Sequence, residues 1–388
     1  MPGPSPDPAA LLRSRRYVGL LVLAAVLGVP ISVAAYGFLA LVGGLQDWLF
    51  TDLPRALGHA SAPLWWPLPL LALAGLLVGL TIRHLPGQGG HSPADGFKAG
   101  GVPTPAELPG IAIAALATLS LGAVLGPEAP LIALGAGLAA LAVRLARRDA
   151  PAQATAVVAA AGSFAAVSTL LGSPLLGAFL LMEASGLGGP TLSLVLVPGL
   201  VAAGVGSLVF IGLDAWTGLG TFSLALPDLP AFAHPDLAQF GWALAIGVAA
   251  AVVGTTIRRL ALLLRPVVER RLLLLTPLAG VVVAALAIVY SKVSGHGFSE
   301  VLFSGQDQLG PLIGQSAGYS VGALVLLVAC KGLAYSVSLA GFRGGPVFPA
   351  MFLGRRVGSR CPICPGCRWS PGWPWASGRC RWCCSGCR

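Results

Sequence analysis

The sequence predicts an all-α polytopic membrane protein made of two inverted-topology repeats, with short, broken helices that meet near the membrane midplane. Of the 388 residues, 56% are hydrophobic and only 10% are charged, and the mean hydropathy is +0.84. Soluble proteins carry about 25% charged residues, so the composition excludes a soluble enzyme, a disordered chain and a secreted disulfide scaffold. Long apolar runs interrupted by Gly or Pro recur along the chain, and one Gly/Pro motif occurs twice.

Residues 1–16 are predicted to form a cytoplasmic N-terminal segment. Arg13, Arg15 and Arg16 precede an apolar stretch that begins at Tyr17 and is longer than the core of a signal peptide. We therefore expect an uncleaved first membrane helix in a protein that spans the plasma membrane. The arginines should hold its N-terminus in the cytoplasm.

Several of the predicted membrane segments are too short for a full crossing, which takes about 20 helical residues. Broken backbone is tolerated in a membrane only where protein or a water-filled cavity covers it, and it is typical of transporters and channels. The alternative is that Gly and Pro are simply common in membrane helices. The predicted segments are 17–46, 65–83, 109–124, 128–146, 154–170, 174–186, 190–213, 236–264, 272–293, 318–341 and 346–354.

An internal repeat favours the transporter interpretation. The pattern G-P-x-x-P-x-x-x-L-G occurs at 126–135 and again at 345–354, which is 219 residues later. A Gly-His pair at 90–91 returns at 295–296, which is 205 residues later. These two repeated motifs predict a first repeat at 17–213, a connection at 214–235 and an incomplete second repeat at 236–354.

Glu128 is the acid that stands out in this pattern. Pro127 and Pro130 suit the first turn of a helix, and the N-terminus of a helix attracts anions. An acid within an apolar membrane segment is a functional candidate by default. The alternative is a helix-terminal acid without a transport role.

The stretch Gly126-Pro127-Glu128-Ala129-Pro130 resembles the G-K/R-E-G-P motif of the CLC family of chloride channels and chloride/proton antiporters. The resemblance implies that Glu128 is a gate, whose carboxylate occupies an anion site until it swings away or is protonated. It also implies that the backbone of Gly126, Pro127 and Ala129 contributes to anion binding.

The stretch Gly344–Pro349 resembles the family motif G-G-x-F-x-P, in which backbone amides help to hold the central chloride. The resemblance makes Gly345, Val347 and Phe348 candidate anion-binding residues. Pro346 has no N–H group to donate, so we expect weaker or rearranged anion coordination here.

A third motif, Gly89–Pro93, is similar to the family's G-S-G-I-P, with Gly90 where the anion-binding serine belongs. Ser92 is a candidate replacement for that hydroxyl. His91 is a candidate donor whose charge depends on pH, although a histidine in a Gly-rich loop is more often structural.

The stretch Gly172–Glu183 resembles the family's N-A-P-L-A-G-x₅-E helix. Antiporters carry a further glutamate next, as the inner proton acceptor, but this chain has Ala184. A proton path needs a titratable group at each end, so Glu183 is a doubtful proton-path residue. The pattern favours passive chloride conduction, with a chloride/proton antiporter or another anion transporter as alternatives. The resemblance also implies a homodimer without enzymatic activity or a cofactor.

The last 34 residues differ from the rest of the chain. They hold seven of its eight cysteines and seven of its 24 basic residues, and no acid. We interpret 355–388 as an out-of-frame sequence, which would leave the chain truncated and inactive. Because the net charge of +10 owes so much to this tail, it does not predict a nucleic-acid partner. The alternative is a small zinc-binding segment whose ligands would be Cys361, Cys364, Cys367, Cys380 and Cys383.

Overall fold

The computed structural model describes residues 15–96, 101–147, 151–185, 190–224, 237–306, 308 and 319–358. Within these ranges the secondary structure is helical apart from one isolated bridge between two glycines. Seven of the helices in the described part of the chain are long and apolar enough to cross a membrane. The main helices are α1 (Arg15–Asp47), α2 (Pro67–His84), α3 (Leu108–Ser120), α4 (Glu128–Ala146), α5 (Ala152–Ala166), α6 (Pro174–Ser185), α7 (Pro190–Thr217), α8 (Leu237–Arg270), α9 (Leu272–Ser294), α10 (Val321–Gly341) and α11 (Val347–Gly358).

The prediction of an all-α polytopic membrane protein is confirmed. The first predicted segment is α1, which continues through a π-helical turn at Trp48–Asp52 into a last turn at Leu53–Ala56. Helices α3, α5 and α6 are among the short apolar elements that the Gly/Pro breaks indicated. Helix α7 runs to Thr217 and so enters the predicted connection at 214–235. Residues 225–236 of that connection lie outside the described part of the chain.

The buried apolar side chains form two main clusters. One is built from α1 and α4–α7, with Leu131, Phe164 and Phe210 at its centre. The other is built from α2 and α8–α10, with Tyr290 and Leu327 among its buried members. Helix α11 joins both, because its apolar residues divide between the two clusters. The apolar residues along α8 are largely exposed, as expected for a helix that faces lipid.

Helices α2 and α9 cross at two glycines, and the crossing is symmetric. A Cβ atom on Gly75 would overlap the backbone around Thr276, and one on Gly280 would overlap the backbone around Leu71. Gly280 follows Gly75 by 205 residues, and Thr276 follows Leu71 by the same number. This is also the separation of the two Gly-His pairs. The contact therefore maps onto itself when the two segments are exchanged, which is the local two-fold relation that inverted repeats produce.

A buried lysine fixes the turn that follows α9. Lys331 on α10 is fully buried, and its Nζ donates to four backbone carbonyls, those of residues 300–303, at 2.9 to 3.4 Å. The same ammonium lies 4.3 Å from the ring centroid of Phe352. A buried charge is tolerated only when it is paired or well hydrogen-bonded. The carbonyls meet that requirement and attach the turn to α10.

Candidate anion site

The two copies of the Gly/Pro motif lie in direct contact. The Gly126 N–H donates to the Gly345 carbonyl at 2.8 Å, and the Gly345 N–H donates to the Gly126 carbonyl at 2.5 Å. The paired residues occupy the same place in the two copies, 219 residues apart. Since α4 begins at Glu128 and α11 at Val347, the N-termini of two helices are brought together at this bridge. Each carries a partial positive charge from its unpaired N–H groups.

The Glu128 carboxylate lies at this junction. The side chain is fully buried, and its Oε1 atom accepts a hydrogen bond from the Phe348 N–H at 2.6 Å. The carboxylate packs against Gly126 and Gly345, where a Cβ atom would overlap it. Its Oε2 atom is buried and has no hydrogen-bond partner among the described residues. The carboxylate thus occupies a place where the first turn of α11 can bind a negative group.

In this structure, some of the predicted anion-binding residues have no free amide. The N–H groups of Gly126 and Gly345 are occupied by each other, so neither is free to bind an anion in this conformation. Pro127 has no N–H and instead accepts a hydrogen bond from the Leu131 N–H. Among the predicted motif residues, Phe348 provides an amide that already holds a negative group.

A cavity of about 830 Å³ adjoins this junction. Its wall includes the predicted residues Gly90, His91, Ser92 and Ala129, together with Gly344 of the second motif. Gly90 has φ of +95°, a conformation that other residues rarely adopt and that lets the loop turn here. The third motif therefore lies in the same region as the two helix N-termini. Val347 is half-buried at the start of α11 and does not line the cavity.

Two polar residues of this cavity wall, His91 and Ser92, differ in their exposure. His91 is exposed to the cavity, whereas Ser92 is 8% exposed. The Ser92 Oγ atom has no hydrogen-bond partner among the described residues. Because a buried hydroxyl is normally hydrogen-bonded, this one is available to a ligand in the cavity.

Sequence reasoning missed two residues near the junction. Arg343 lines the cavity, and its Nε atom donates to the Gln88 carbonyl at 3.2 Å. Tyr335 on α10 is buried, and its hydroxyl donates to the Pro346 carbonyl at 2.5 Å. A cation beside the Gly-Gly pair of an apolar region was a usable signal for Arg343. Nothing in the sequence around Tyr335 indicated its contact.

The remaining candidates lie apart from the site. Glu183 is exposed near the end of α6 and does not line the cavity. The five cysteines of the alternative zinc site, Cys361, Cys364, Cys367, Cys380 and Cys383, lie outside the described residues. In the part of the chain that the structure describes, no group of three or more His, Cys, Asp or Glu side chains could hold a metal ion.

Helix N-termini that converge inside a membrane protein favour the binding of an anion. Residues 74–362 match the family described as voltage gated chloride channel, and the chain is therefore a member of the CLC family. Members of this family are transporters and channels rather than enzymes, and they transport chloride without a cofactor.

Curated relatives support the same family. The chain is 30% identical over 356 residues to the "Putative ion-transport protein YfeO" of Escherichia coli (strain SMS-3-5 / SECEC). That match covers 89% of this chain and 79% of the relative. The protein with the same description from Shigella boydii serotype 4 (strain Sb227) is also 30% identical, with the same coverage.

Solved structures support the fold. A slow cyanobacterial Cl⁻/H⁺ antiporter superposes with a TM-score of 0.67 at 19% sequence identity, covering 87% of this chain and 77% of the antiporter. A CLC-type fluoride/proton antiporter superposes with a TM-score of 0.60 at 18% identity, covering 88% and 80% of the two chains. At these identities the likeness concerns the fold alone.

Proposed function

We propose that this CLC-type protein conducts chloride and similar small anions, with Glu128 as the gate. The observation that carries this proposal is the hydrogen bond from the Phe348 N–H to the buried Glu128 carboxylate, where two helix N-termini meet. The carboxylate and a permeating anion would compete for that amide. Protonation removes the charge of Glu128 and weakens its hold on the helix N-termini, so the gate opens as pH falls.

Channel-like conduction is the form of transport that the residues favour. The position after Glu183 is Ala184, and Glu183 itself is exposed and outside the cavity wall. No second buried carboxylate stands near Glu128 within the described ranges. A proton path through the protein would therefore lack an inner carboxylate.

Proton-coupled exchange is the second candidate. It is favoured by the solved structures that share this fold, which are described as Cl⁻/H⁺ and fluoride/proton antiporters. In either case we place the protein in the plasma membrane as a homodimer, with the N-terminus in the cytoplasm. The arginines at 13, 15 and 16, around the start of α1, support that orientation, and the family supports the dimer.

Chloride efflux from liposomes that contain the purified 388-residue chain tests the gate, and efflux from the wild type would contradict the expectation that the tail at 355–388 leaves the chain inactive. We expect Glu128→Gln to raise efflux at neutral pH and to abolish its pH dependence, because the amide cannot be deprotonated. Glu183→Gln is the matched control and should behave as the wild type. An E128Q variant with wild-type efflux and wild-type pH dependence would refute the gate.

Proton movement separates the two candidates in the same liposomes. A chloride gradient is imposed and the internal pH is followed with a trapped dye. A channel should move no protons against their gradient, whereas an exchanger should. Proton uptake driven by chloride would replace the channel interpretation with exchange.

A further inference from the structure

Arg343 is held rigidly between two motif loops. It lies between the end of α10 and Gly344 and is only 8% exposed. Its backbone N–H donates to Thr118 Oγ1 at 3.3 Å, and its Nε and Nη1 atoms donate to the carbonyls of Gln88 and Phe342 at 3.2 and 3.3 Å. These bonds fix the guanidinium beside the Gly87–Ser92 loop, in the wall of the cavity.

Two acids, Glu107 and Glu269, line the same cavity as this guanidinium, but each has another partner. Glu107 accepts a hydrogen bond from a nearby backbone N–H at 3.1 Å, and Glu269 pairs with Arg265. Among the described residues, no carboxylate oxygen lies within 4.0 Å of Arg343. Arg265 lines the same cavity and pairs instead with Asp95 at 2.6 Å and with Glu269 at 2.7 Å. A buried charge without a counter-ion is costly, and neutral carbonyls satisfy hydrogen bonds without cancelling the charge. An anion in the cavity would give this guanidinium a directly bonded counter-ion.

A second observation points to the same ligand. Ser92 Oγ is buried, lines the cavity and has no partner among the described residues. It belongs to the loop whose Gln88 carbonyl holds Arg343. The wall of the cavity therefore combines a cation that no described carboxylate contacts with an unused hydroxyl donor, and both suit an anion.

The geometry points to an anion-binding site at Arg343, separate from the Glu128 gate, that prefers planar oxyanions such as nitrate to chloride. This inference rests on the proposed function, because it assumes that anions enter the cavity. Two of the five guanidinium N–H groups donate to carbonyls, which leaves three. The planar guanidinium can donate two parallel hydrogen bonds to two oxygens of one oxyanion. A halide is a single atom and must accept both hydrogen bonds itself. Ser92 supplies an additional donor to either anion.

Equilibrium binding tests the site without any transport step. The purified 388-residue chain in detergent is titrated with nitrate and with chloride by calorimetry. The starting buffer contains only a large anion, so that no small anion occupies the site beforehand. We expect wild type to bind nitrate more tightly than chloride. Arg343→Lys keeps the charge and removes the fork, so nitrate affinity should fall about tenfold while chloride affinity stays within about threefold. Ser92→Ala should weaken both anions by about the same factor.

Arg144→Gln is the matched control, because Arg144 is exposed on the last turn of α4 and does not line the cavity. It should bind both anions as wild type does. An unchanged ratio of nitrate to chloride affinity in R343K, or a wild type that does not prefer nitrate, would overturn the inference. A bromide soak followed by anomalous diffraction gives an independent readout, with density expected at the guanidinium. Failure of the gate would appear in efflux and not in these titrations, so the two proposals fail separately.

Discussion

In the proposed gate, the buried position of Glu128 is the closed one, and this position depends on the absence of a side chain at Gly126. The three atoms closest to a Cβ atom placed on Gly126 are the two oxygens and the Cδ of Glu128. The φ angle of Gly126 is not in the left-handed region, so alanine can adopt the same backbone. Gly126→Ala should therefore act on the carboxylate alone and push it out of the junction.

The size of the effect follows from the overlap. Inserting a methyl group into a packed site costs typically about 1–3 kcal/mol, and the carboxylate can avoid that cost by moving to its open position. Each 1.4 kcal/mol changes an equilibrium about tenfold. The closed population should consequently fall by roughly 5- to 150-fold relative to the open one. When the Glu128 carboxylate leaves the junction, the Phe348 N–H becomes free to bind an anion.

Chloride efflux from liposomes measures this shift. We expect Gly126→Ala to raise efflux at neutral pH, and the double variant G126A/E128A to match Glu128→Ala, because the two changes remove the same closed state. Gly204→Ala on α7 is the control, since a Cβ atom there would meet nothing within 4 Å. If G126A lowers efflux and E128A does not restore it, or if the two effects add, the carboxylate is not the gate.

Three further predictions concern stability and the shape of the junction. Lys331→Met should lower the free energy of unfolding by about 3–5 kcal/mol, because four buried carbonyls lose their donor; the exposed Lys292→Met should change it by less than about 0.5 kcal/mol in the same detergent unfolding assay. Gly75→Ala should destabilise the protein by about 1–3 kcal/mol, because the added methyl group overlaps the backbone of α9. Gly19→Ala is the control and should not destabilise it, since a Cβ atom there meets nothing within 4 Å. Equal melting temperatures of the two variants would contradict the close crossing of α2 and α9. Tyr335→Phe removes the hydrogen bond to the carbonyl before α11 and should cost about 1 kcal/mol; unfolding measurements check the loss, and a change in efflux would indicate that this bond also positions the gate.

Much of the helical layout could be predicted from the sequence because it depends on local signals. The basic residues before Tyr17, the apolar runs and the prolines at helix starts are all short-range patterns. The beginning of α4 at Glu128 follows from Pro127 and Pro130 in this way. The repeated motif also indicated which loops belong together, since related halves of a transporter meet at a shared site.

The details of the site depend on contacts that no local pattern encodes. The hydrogen bond between Phe348 and Glu128 spans 220 residues, and that between Arg343 and Gln88 spans 255 residues. The reciprocal hydrogen bonds between Gly126 and Gly345 could not be predicted from the sequence either. A motif shows which amides are present, but not which of them already have hydrogen-bond partners. The motif alone therefore does not predict which of its amides are free to bind an anion.

The symmetric crossing of α2 and α9 has a consequence for synthesis of the chain. At translation rates of about 5–20 residues per second, the 205 residues that separate Gly75 from Gly280 take roughly 10–40 s to make. The close contact between α4 and α5, at Gly135 and Gly162, needs only the following few dozen residues. The first helix cluster can therefore assemble while the ribosome is still at work. Until α9 is made, the face of α2 that carries Gly75 has no α9 to pack against. We therefore expect a chain that stalls before α9 to be more sensitive to membrane proteases than the full chain.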